Sequence, residues 1–441
     1  MVNFSRSLRH VKAHLDQLVP ERTIHQICRQ LGHPWRKRLL TPAATVHLFL
    51  LQLLANVAME GLRHVAKITV SASAICQAKQ RLPLQLLMRL VEHMVEYMEH
   101  SVSQTPAASL WKGLAVYLAD GMSFLVPDKP QLAHKFGKSK NQRGISSGYP
   151  VPKLLALMDF TGGFIHKVIT LPSARQEFTC LSRLFKSIIA GAIGGFGGLL
   201  LGDRGLVSFV HLALLINAGL EGCFRLPRGQ VVFDRARKSR RCVKRLGRQD
   251  KLVCWQATRC PNWLSQKRWK KLASQQLLLR QIAYRVYRKG FRVQWAWIIT
   301  TLTDPQKYPA QELIELYNKR WQIEVYFRDL KRTLGMELLS AQTVEGVRKE
   351  ILCFILLYNL IRQVMNQAAR SQGTTADRIS FIDALRWLLW SSPGQPIPTL
   401  KVNPQRIRRS PPRKIKRGRH RFAQLNGNPQ DQSKPACCVK L

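Results

Sequence analysis

The apolar pattern changes period near residue 111, and that change limits the folds open to this chain more than any other feature. Upstream, residues 1 to about 100 read as helices: Thr41-Pro42 supplies a cap and a proline at the first helical position, and the apolar run that follows stops near Gly61. Downstream, a short apolar run over 114–119 ends at Asp120-Gly121. Residues 153–160, the turn Thr161-Gly162-Gly163 and residues 164–171 then read as strand, turn and strand. Residues 176–190 read as a helix, 199–201 as a fourth strand running into Gly202-Asp203-Arg204-Gly205, and 207–218 as another apolar helix. The order strand, strand, strand, helix, strand, helix implies an α/β fold whose first three strands are antiparallel.

Within the helical N-terminal part, SASAICQAKQRLP follows a short segment over 62–68. Ser71 or Ser73 can cap a helix that carries Gln77, Lys79, Gln80 and Arg81. Helix, short turn and polar-basic helix is a helix-turn-helix shape; a small bundle with a solvated basic face fits the same residues. Past Leu226 the composition shifts again. Between Arg235 and Lys251 stand nine Lys/Arg and one acid, and β-type stretches around Val253 and over 292–301 flank a further basic helix. Helical period returns over 310–334 and 347–369. Residues 391–441 hold eight of the 22 prolines, and 401–421 hold ten Lys/Arg with no acid. The expected division is therefore an all-helical N-terminal domain over 1–105, an α/β core over 106–226, an inserted β-rich module over 227–305, the rest of the core over 306–372, and a basic, proline-rich tail over 373–441.

Charge narrows the partner. Seventy Lys+Arg against 25 Asp+Glu leave +45 on a chain that is 46% hydrophobic, enough apolar content to bury a core beneath a large positive field. The expected partner is a polyanion, with DNA backbone the best fit to basic runs from which acids almost vanish. Ten scattered cysteines form no CxxC pair, which reads as reduced and intracellular. The N-terminus lacks the apolar h-region of a secretory signal, and the most apolar stretches are shorter than a span of about 20 residues. A cytoplasmic, nucleoid-associated protein with no membrane partner is expected.

Chemistry concentrates in LYNKRWQIEVYFRDLKRTLG. On a wheel of about 100° per residue, Arg320, Glu324 and Lys331 fall within roughly 60° of Tyr317. Leu316, Ile323, Phe327 and Leu330 occupy the adjacent arc, the expected buried side. A carboxylate is thus held at the margin of a core between two cations and a phenol, unless the arc is only a solvated face of helical ion pairs. Asp120 stands where the first strand ends and Asp203 where the fourth ends. Those strands are neighbours in a ribonuclease-H-like sheet, so a carboxylate from a later helix can reach the same point. Three carboxylates there make a hard oxygen site suited to two Mg²⁺, which could serve an in-line attack on a phosphodiester.

The spacing Tyr317-x2-Arg320-x3-Glu324-x6-Lys331 resembles the signature of the DDE transposases of insertion-sequence family 4, which are bacterial cut-and-paste enzymes. Asp120-Gly121 and the LLLGDRG around Asp203 resemble the other two members of that family's triad. The basic stretch between Asp203 and Glu324 is similar to its β-strand insertion, and ICQAKQRLP to a block of its helical domain. The resemblance implies a ribonuclease-H-like core, binding to terminal inverted repeats and to target double-stranded DNA, a homodimer in the synaptic complex, and strand cleavage followed by strand transfer. It implies that Asp120, Asp203 and Glu324 hold Mg²⁺, with Mn²⁺ as a substitute, and that Tyr317, Arg320 and Lys331 contact phosphates. The ending RRSPPRKIKRGRHRF departs from the family's more regular basic ending. A catalytically inactive DNA-binding descendant or repressor, and a structure-selective nuclease on the same fold, are the alternatives; the intact carboxylates favour the active enzyme.

Weaker signals sort themselves on chemistry. Asp159 precedes Thr161-Gly162-Gly163 and reads as a turn stabiliser. GAIGGFGG lacks the Gly-Lys-Ser/Thr of a nucleotide loop, and Cys223, Cys242, Cys254 and Cys260 lack zinc spacing, so buried thiols are expected. Arg237, Lys238, Arg240 and Arg241 are the expected DNA contacts of the insertion. Trp295 and Trp297 alternate along a strand, so both indoles share a face; they either receive a base pulled from the duplex or pack between the insertion and the core sheet.

Overall fold

The computed structural model describes residues 13–402 except 15, 17, 37, 67, 104–109, 141–145, 192–196, 234–239, 287–292 and 393. Residues up to Lys401 form one compact unit. The N-terminal part is helical: α1 Glu21–Gln30, α2 Pro42–Ala55, α3 Met59–Ala66, α4 Ala72–Arg81 and α5 Leu84–Ser103. The Thr41 hydroxyl caps α2 by accepting from Ala44 N–H at 3.2 Å, with Pro42 at the first helical position as its sequence dictates. The helix stops at Asn56, earlier than Gly61, because Asn56 takes a left-handed conformation that satisfies the C-terminal carbonyls. Ser71, not Ser73, caps α4.

The core is a nine-stranded sheet. Its first five strands are β1 Leu114–Ser123, β4 Lys153–Asp159, β5 Ile165–Leu171, β6 Gly197–Gly202 and β7 Glu221–Arg225, in the order β5-β4-β1-β6-β7. The β1–β4 and β4–β5 pairs are antiparallel, while β1–β6 and β6–β7 are parallel. The first three strands are thus antiparallel and the first and fourth are neighbours, as the sequence pattern requires. A short hairpin, β2 Lys138–Lys140 with β3 Ser146–Pro150, stands apart.

The basic stretch past residue 226 does not build a sheet of its own. Its strands β8 Arg240–Gly247, β9 Asp250–Gln256, β10 Gln276–Val286 and β11 Gln294–Thr300 continue the core sheet, with β11 antiparallel to β7. β8 is the outer edge, where exposed Arg241, Lys244 and Arg245 discourage pairing with another chain. Residues 310–334 depart from the single helix expected. They form α10 Ala310–Asn318, a 3₁₀ turn Lys319–Trp321, α11 Gln322–Arg328 and a π turn Asp329–Thr333. The 3₁₀ turn advances the wheel by about 120° per residue rather than 100°. Arg320 is therefore buried although Glu324 stays exposed.

Alternate residues of the sheet enter two cores. Leu118, Met122, Ile282 and Ile298 face the helices α10, α11 and α12 (Val344–Ser371) together with the N-terminal helices. Ala119, Leu200, Leu279 and Ile299 face the other side. α12 is long and apolar enough to cross a membrane, but 83% of its apolar window is buried inside this fold. Its Arg362, almost wholly enclosed, donates to Gly162 O through Nε at 2.8 Å and Nη2 at 2.6 Å. Asn359 binds both backbone groups of Ile165. Asp159 accepts from Gly162 N–H, the turn role its place in sequence suggested. Residues 376–401 add a 3₁₀ turn, a helix α13 Phe381–Trp390 packed on α12, and a bridge between Ile379 and Lys401.

A buried acid–imidazole contact joins α5 to the edge strand β5: Glu99 Oε1 lies 3.2 Å from His166 Nδ1. Burial pushes the Glu99 carboxyl up to about 7, helped by Asp159, and pushes the His166 imidazole down to about 3. The two therefore meet as neutral groups below pH 7. Because the folded Glu99 pKa lies above its ordinary 4.5, its contribution is full below pH 4.5 and is lost as pH rises through 7. Glu99→Gln should accordingly melt near wild type at pH 5 but above it at pH 8. Calorimetry across that range checks this, and an equal offset at both pH values would refute it.

Candidate active site

The site opens where pairing between β1 and β6 stops. Parallel pairing ends at Ala119 with Gly202, while β1 continues beside β4 through Asp120 to Ser123. Asp120 therefore has a strand on one side only. Asp203, the first residue past β6, stands across the gap. α10 crosses beneath, and the buried Tyr317 hydroxyl donates to Gly202 O at 3.2 Å, fixing the residue that carries Asp203.

Arg320 fills the gap. Its Nη1 lies 3.5 Å from Asp120 Oδ2, and its Nη2 lies 3.9 Å from both Asp203 Oδ1 and Glu324 Oε1. The guanidinium is 5% exposed, and its Nε and Nη1 are buried without a hydrogen-bond acceptor. Burial raises the Asp120 carboxyl; the Gly121 N–H and Arg320 pull it back, while Asp203 and Glu324 raise it further. One cation thus faces three carboxylates, an imbalance that a hard divalent cation with oxygen preference would correct. The donor chemistry fits such an ion. The spacing is that of carboxylates held apart by Arg320, and among the described residues no three acidic, His or Cys side chains are gathered closely enough to ligate one metal.

The structure brings together Asp120, Asp203, Glu324, Tyr317 and Arg320. Lys331 sits half-buried on the π turn and, among the described residues, has no ion-pair partner. Trp295 and Trp297 do not join the site. They share the sheet face of Ile299, whereas Asp120 shares that of Leu118 and Met122. Trp297 is half-buried against the second core, and Trp295 is 42% exposed beneath Arg285. Both line a cleft of about 430 Å³ with Arg228, Arg245, Arg248 and Lys251. Arg240 lies over Trp255 and Arg241 projects from the edge strand, while Arg237 and Lys238 lie outside the described residues. Two residues escaped the sequence reading. Tyr284, buried on β10, has its hydroxyl raised first by burial and further by Asp203, against the lowering effect of Arg225 and Arg320; the alternation of β10 would have placed it on that face. Trp321, 48% exposed, follows Arg320 directly and would have been found by its position in the signature.

The profile of the transposase DDE domain matches residues 111–360, more than half of the chain and a span that contains Asp120, Asp203 and Glu324. The chain belongs to the DDE transposase family. It is 27% identical over 342 residues to transposase InsG for insertion sequence element IS4 of Escherichia coli (strain K12), covering 75% of this chain and 71% of that one. Putative transposase InsZ of the same organism is 26% identical over 159 residues, 35% of this chain and 48% of its own length. A cryo-EM structure of a piggyBac transposase synaptic complex with hairpin DNA aligns over 86% of this chain and 79% of its own, with a TM-score of 0.44 and 8% identity.

Removal of the central cation tests the electrostatics of this transposase. Arg320→Met leaves three carboxylates facing one another and removes the guanidinium that pulls the buried Asp120 carboxyl back down. The resulting loss of about 1–3 kcal/mol should appear at pH 7 and shrink as pH falls through the carboxylate range. Urea unfolding at pH 7 and pH 4 measures it, and a loss as large at pH 4 would refute the charge argument.

Proposed function

We propose that this transposase binds the terminal inverted repeats of an insertion sequence and carries out Mg²⁺-dependent strand cleavage and strand transfer, moving the element by excision and reinsertion. The observation that carries the reading is the convergence of Asp120, Asp203 and Glu324, from three separate segments, around one buried guanidinium. Asp120, Asp203 and Glu324 would hold Mg²⁺, with Mn²⁺ as a substitute; the metal when bound supplies charge to activate the attacking oxygen and stabilise the leaving one. Arg320 sets the spacing of the carboxylates, and Tyr317 fixes the strand end that presents Asp203. Lys331 and the exposed Arg328 offer charge to phosphates beside the cut.

Binding to the ends is assigned to the helical region 1–105. On α4, Ser73, Gln77, Gln80 and Arg81 are exposed while Ile75, Ala78 and Lys79 turn inward. A groove of about 960 Å³ beside them is lined by Arg36, Arg38, Gln77 and Arg81. Polar amides that can read base edges, flanked by guanidiniums for phosphates, suit duplex DNA. Arg240 and Arg241 on the sheet edge would extend the contact. A homodimer holding two ends, working in the cytoplasm on the nucleoid, completes the reading. The carboxylate cluster favours it over a catalytically inactive DNA-binding descendant.

Asp120→Ala, Asp203→Ala and Glu324→Ala should each reduce Mg²⁺-dependent cleavage more than about a hundredfold while gel-shift binding to end DNA persists. Cleavage and binding are read on one preparation, and substantial cleavage by any variant would remove that residue from the set. For an unstacked base, Trp321 is the exposed indole beside the carboxylates, whereas Trp295 and Trp297 lie on the far face. Trp321→Ala should therefore slow second-strand processing more than the first nick, with a stacking loss of about 1–3 kcal/mol. The same behaviour in Trp295→Ala instead would return that role to the insertion.

A further inference from the structure

Two consecutive buried charges on α12 bind different parts of the molecule. Lys349, 4% exposed, donates from Nζ to Gln80 O at 2.7 Å and pairs with Glu345 at 2.8 Å. Gln80 is in the last turn of α4, where carbonyls lack helical partners and a cation is favoured by the helix dipole. Glu350, also 4% exposed, accepts from Ser340 N–H at 3.0 Å, Ser340 Oγ at 2.9 Å and Ala341 N–H at 2.8 Å. Residues 340 and 341 close the segment that leaves the π turn. In that segment Glu337 N–H donates to Lys331 O at 3.2 Å, and Leu125 exchanges backbone bonds with Glu337 and Leu339. Leu125 lies two residues past the end of β1, the strand of Asp120.

A path of hydrogen bonds and intervening backbone therefore runs from α4 through Lys349 and Glu350 to the π turn that follows the Glu324 helix and to the segment that follows the Asp120 strand. A second lysine braces it. Lys79 of α4, 8% exposed, turns away from solvent, donates to Gln52 Oε1 and lies 3.9 Å over the Phe49 ring. Lys79, Lys349 and Glu350 do not touch the three carboxylates of the site, and none of the three is on the exposed face of α4. Burying two lysines and a glutamate where apolar residues would pack is costly unless a fixed geometry is gained.

We propose that Lys349 and Glu350 are positioning residues that set which phosphodiester is cut, by tying the DNA-reading helix α4 rigidly to the carboxylate site. The inference rests on the reading of α4 as an end-DNA contact and of the carboxylates as the cutting site. A purely structural tie would affect how much protein folds but not where it cuts. A ruler affects where.

The test uses the full-length protein, Mg²⁺, and an end-labelled duplex taken from the DNA flanking its own reading frame, with nicks mapped to single nucleotides. Wild type should nick one phosphodiester. Lys349→Met should bind the duplex as tightly as wild type yet spread or shift its nicks by one or more nucleotides, and Lys349→Arg, which can still donate to Gln80 O, should restore the single position. Should Lys349→Met fail to fold, Lys79→Met and Glu350→Gln carry the same expectation. A single unshifted nick from the folded variants, at any rate, overturns the inference. A wild-type protein that binds the duplex and never nicks it overturns the reading of the carboxylate site instead.

Discussion

The parallel pairing of β1 with β6, and its early end, governs the arrangement of this protein. Two parallel strands that stop together would bury their ends against the same helices. Here β6 stops at Gly202 while β1 runs on beside β4. The mismatch leaves Asp120 with an open flank and puts Asp203 at the lip of the gap. Open α/β sheets place ligands in such crevices because the strand ends leave backbone groups and side chains without neighbours. Gly202 allows the close approach: a Cβ there would meet the Phe224 ring at 2.7 Å. The α10–α11 segment then supplies the third carboxylate and the guanidinium from below.

Strand alternation and helix caps made the first half of the core legible in the sequence, since β1, β4 and β6 each carry an uninterrupted apolar run that ends at Gly or Asp, and β5 follows the Gly162-Gly163 turn. The places of Asp120 and Asp203 at strand ends were legible for the same reason, because aspartates there stand out against apolar runs. What was hidden has physical causes. β8 reads as a charge run because an edge strand faces water on most of its length. The break at Lys319–Trp321 leaves no mark on helix periodicity, because three residues of tighter winding rotate later residues by only about 60° in total. Lys79 reads as part of a solvated basic face, and only the tertiary contact with Gln52 and Phe49 turns it inward.

Acids are scarce in this chain, and several of them are drawn into internal contacts. Asp250 takes the Arg280 guanidinium at 2.5 Å, Glu350 holds the 340–341 turn, and Asp159 closes the β4–β5 turn under Arg362. Each removes a negative charge from the surface while orienting a backbone segment. Three further carboxylates, Asp120, Asp203 and Glu324, meet around Arg320 where the sheet opens. A polyanion drawn by the net charge of +45 would find local negative charge at that point, which is tolerable only if a cation stands between. Arg320 is one such cation, and it is already shared among three carboxylates.

The insertion completes the wall of this site rather than decorating the sheet. Had β8–β11 formed a separate module, Asp203 and Arg320 would face solvent on the β7 side. Because β11 pairs with β7 and β10 with β11, the Ala296–Tyr284 pair lies on the carboxylate face. The Tyr284 ring is buried on that face, and burial raises its hydroxyl while the charges of Arg225 and Arg320 oppose the rise. Lower local dielectric strengthens the attraction between Arg320 and its carboxylates, and it raises Asp120 for the same reason that it confines Arg320. The insertion thus contributes Tyr284 to the carboxylate face, while its own cationic cleft and indoles open on the opposite one.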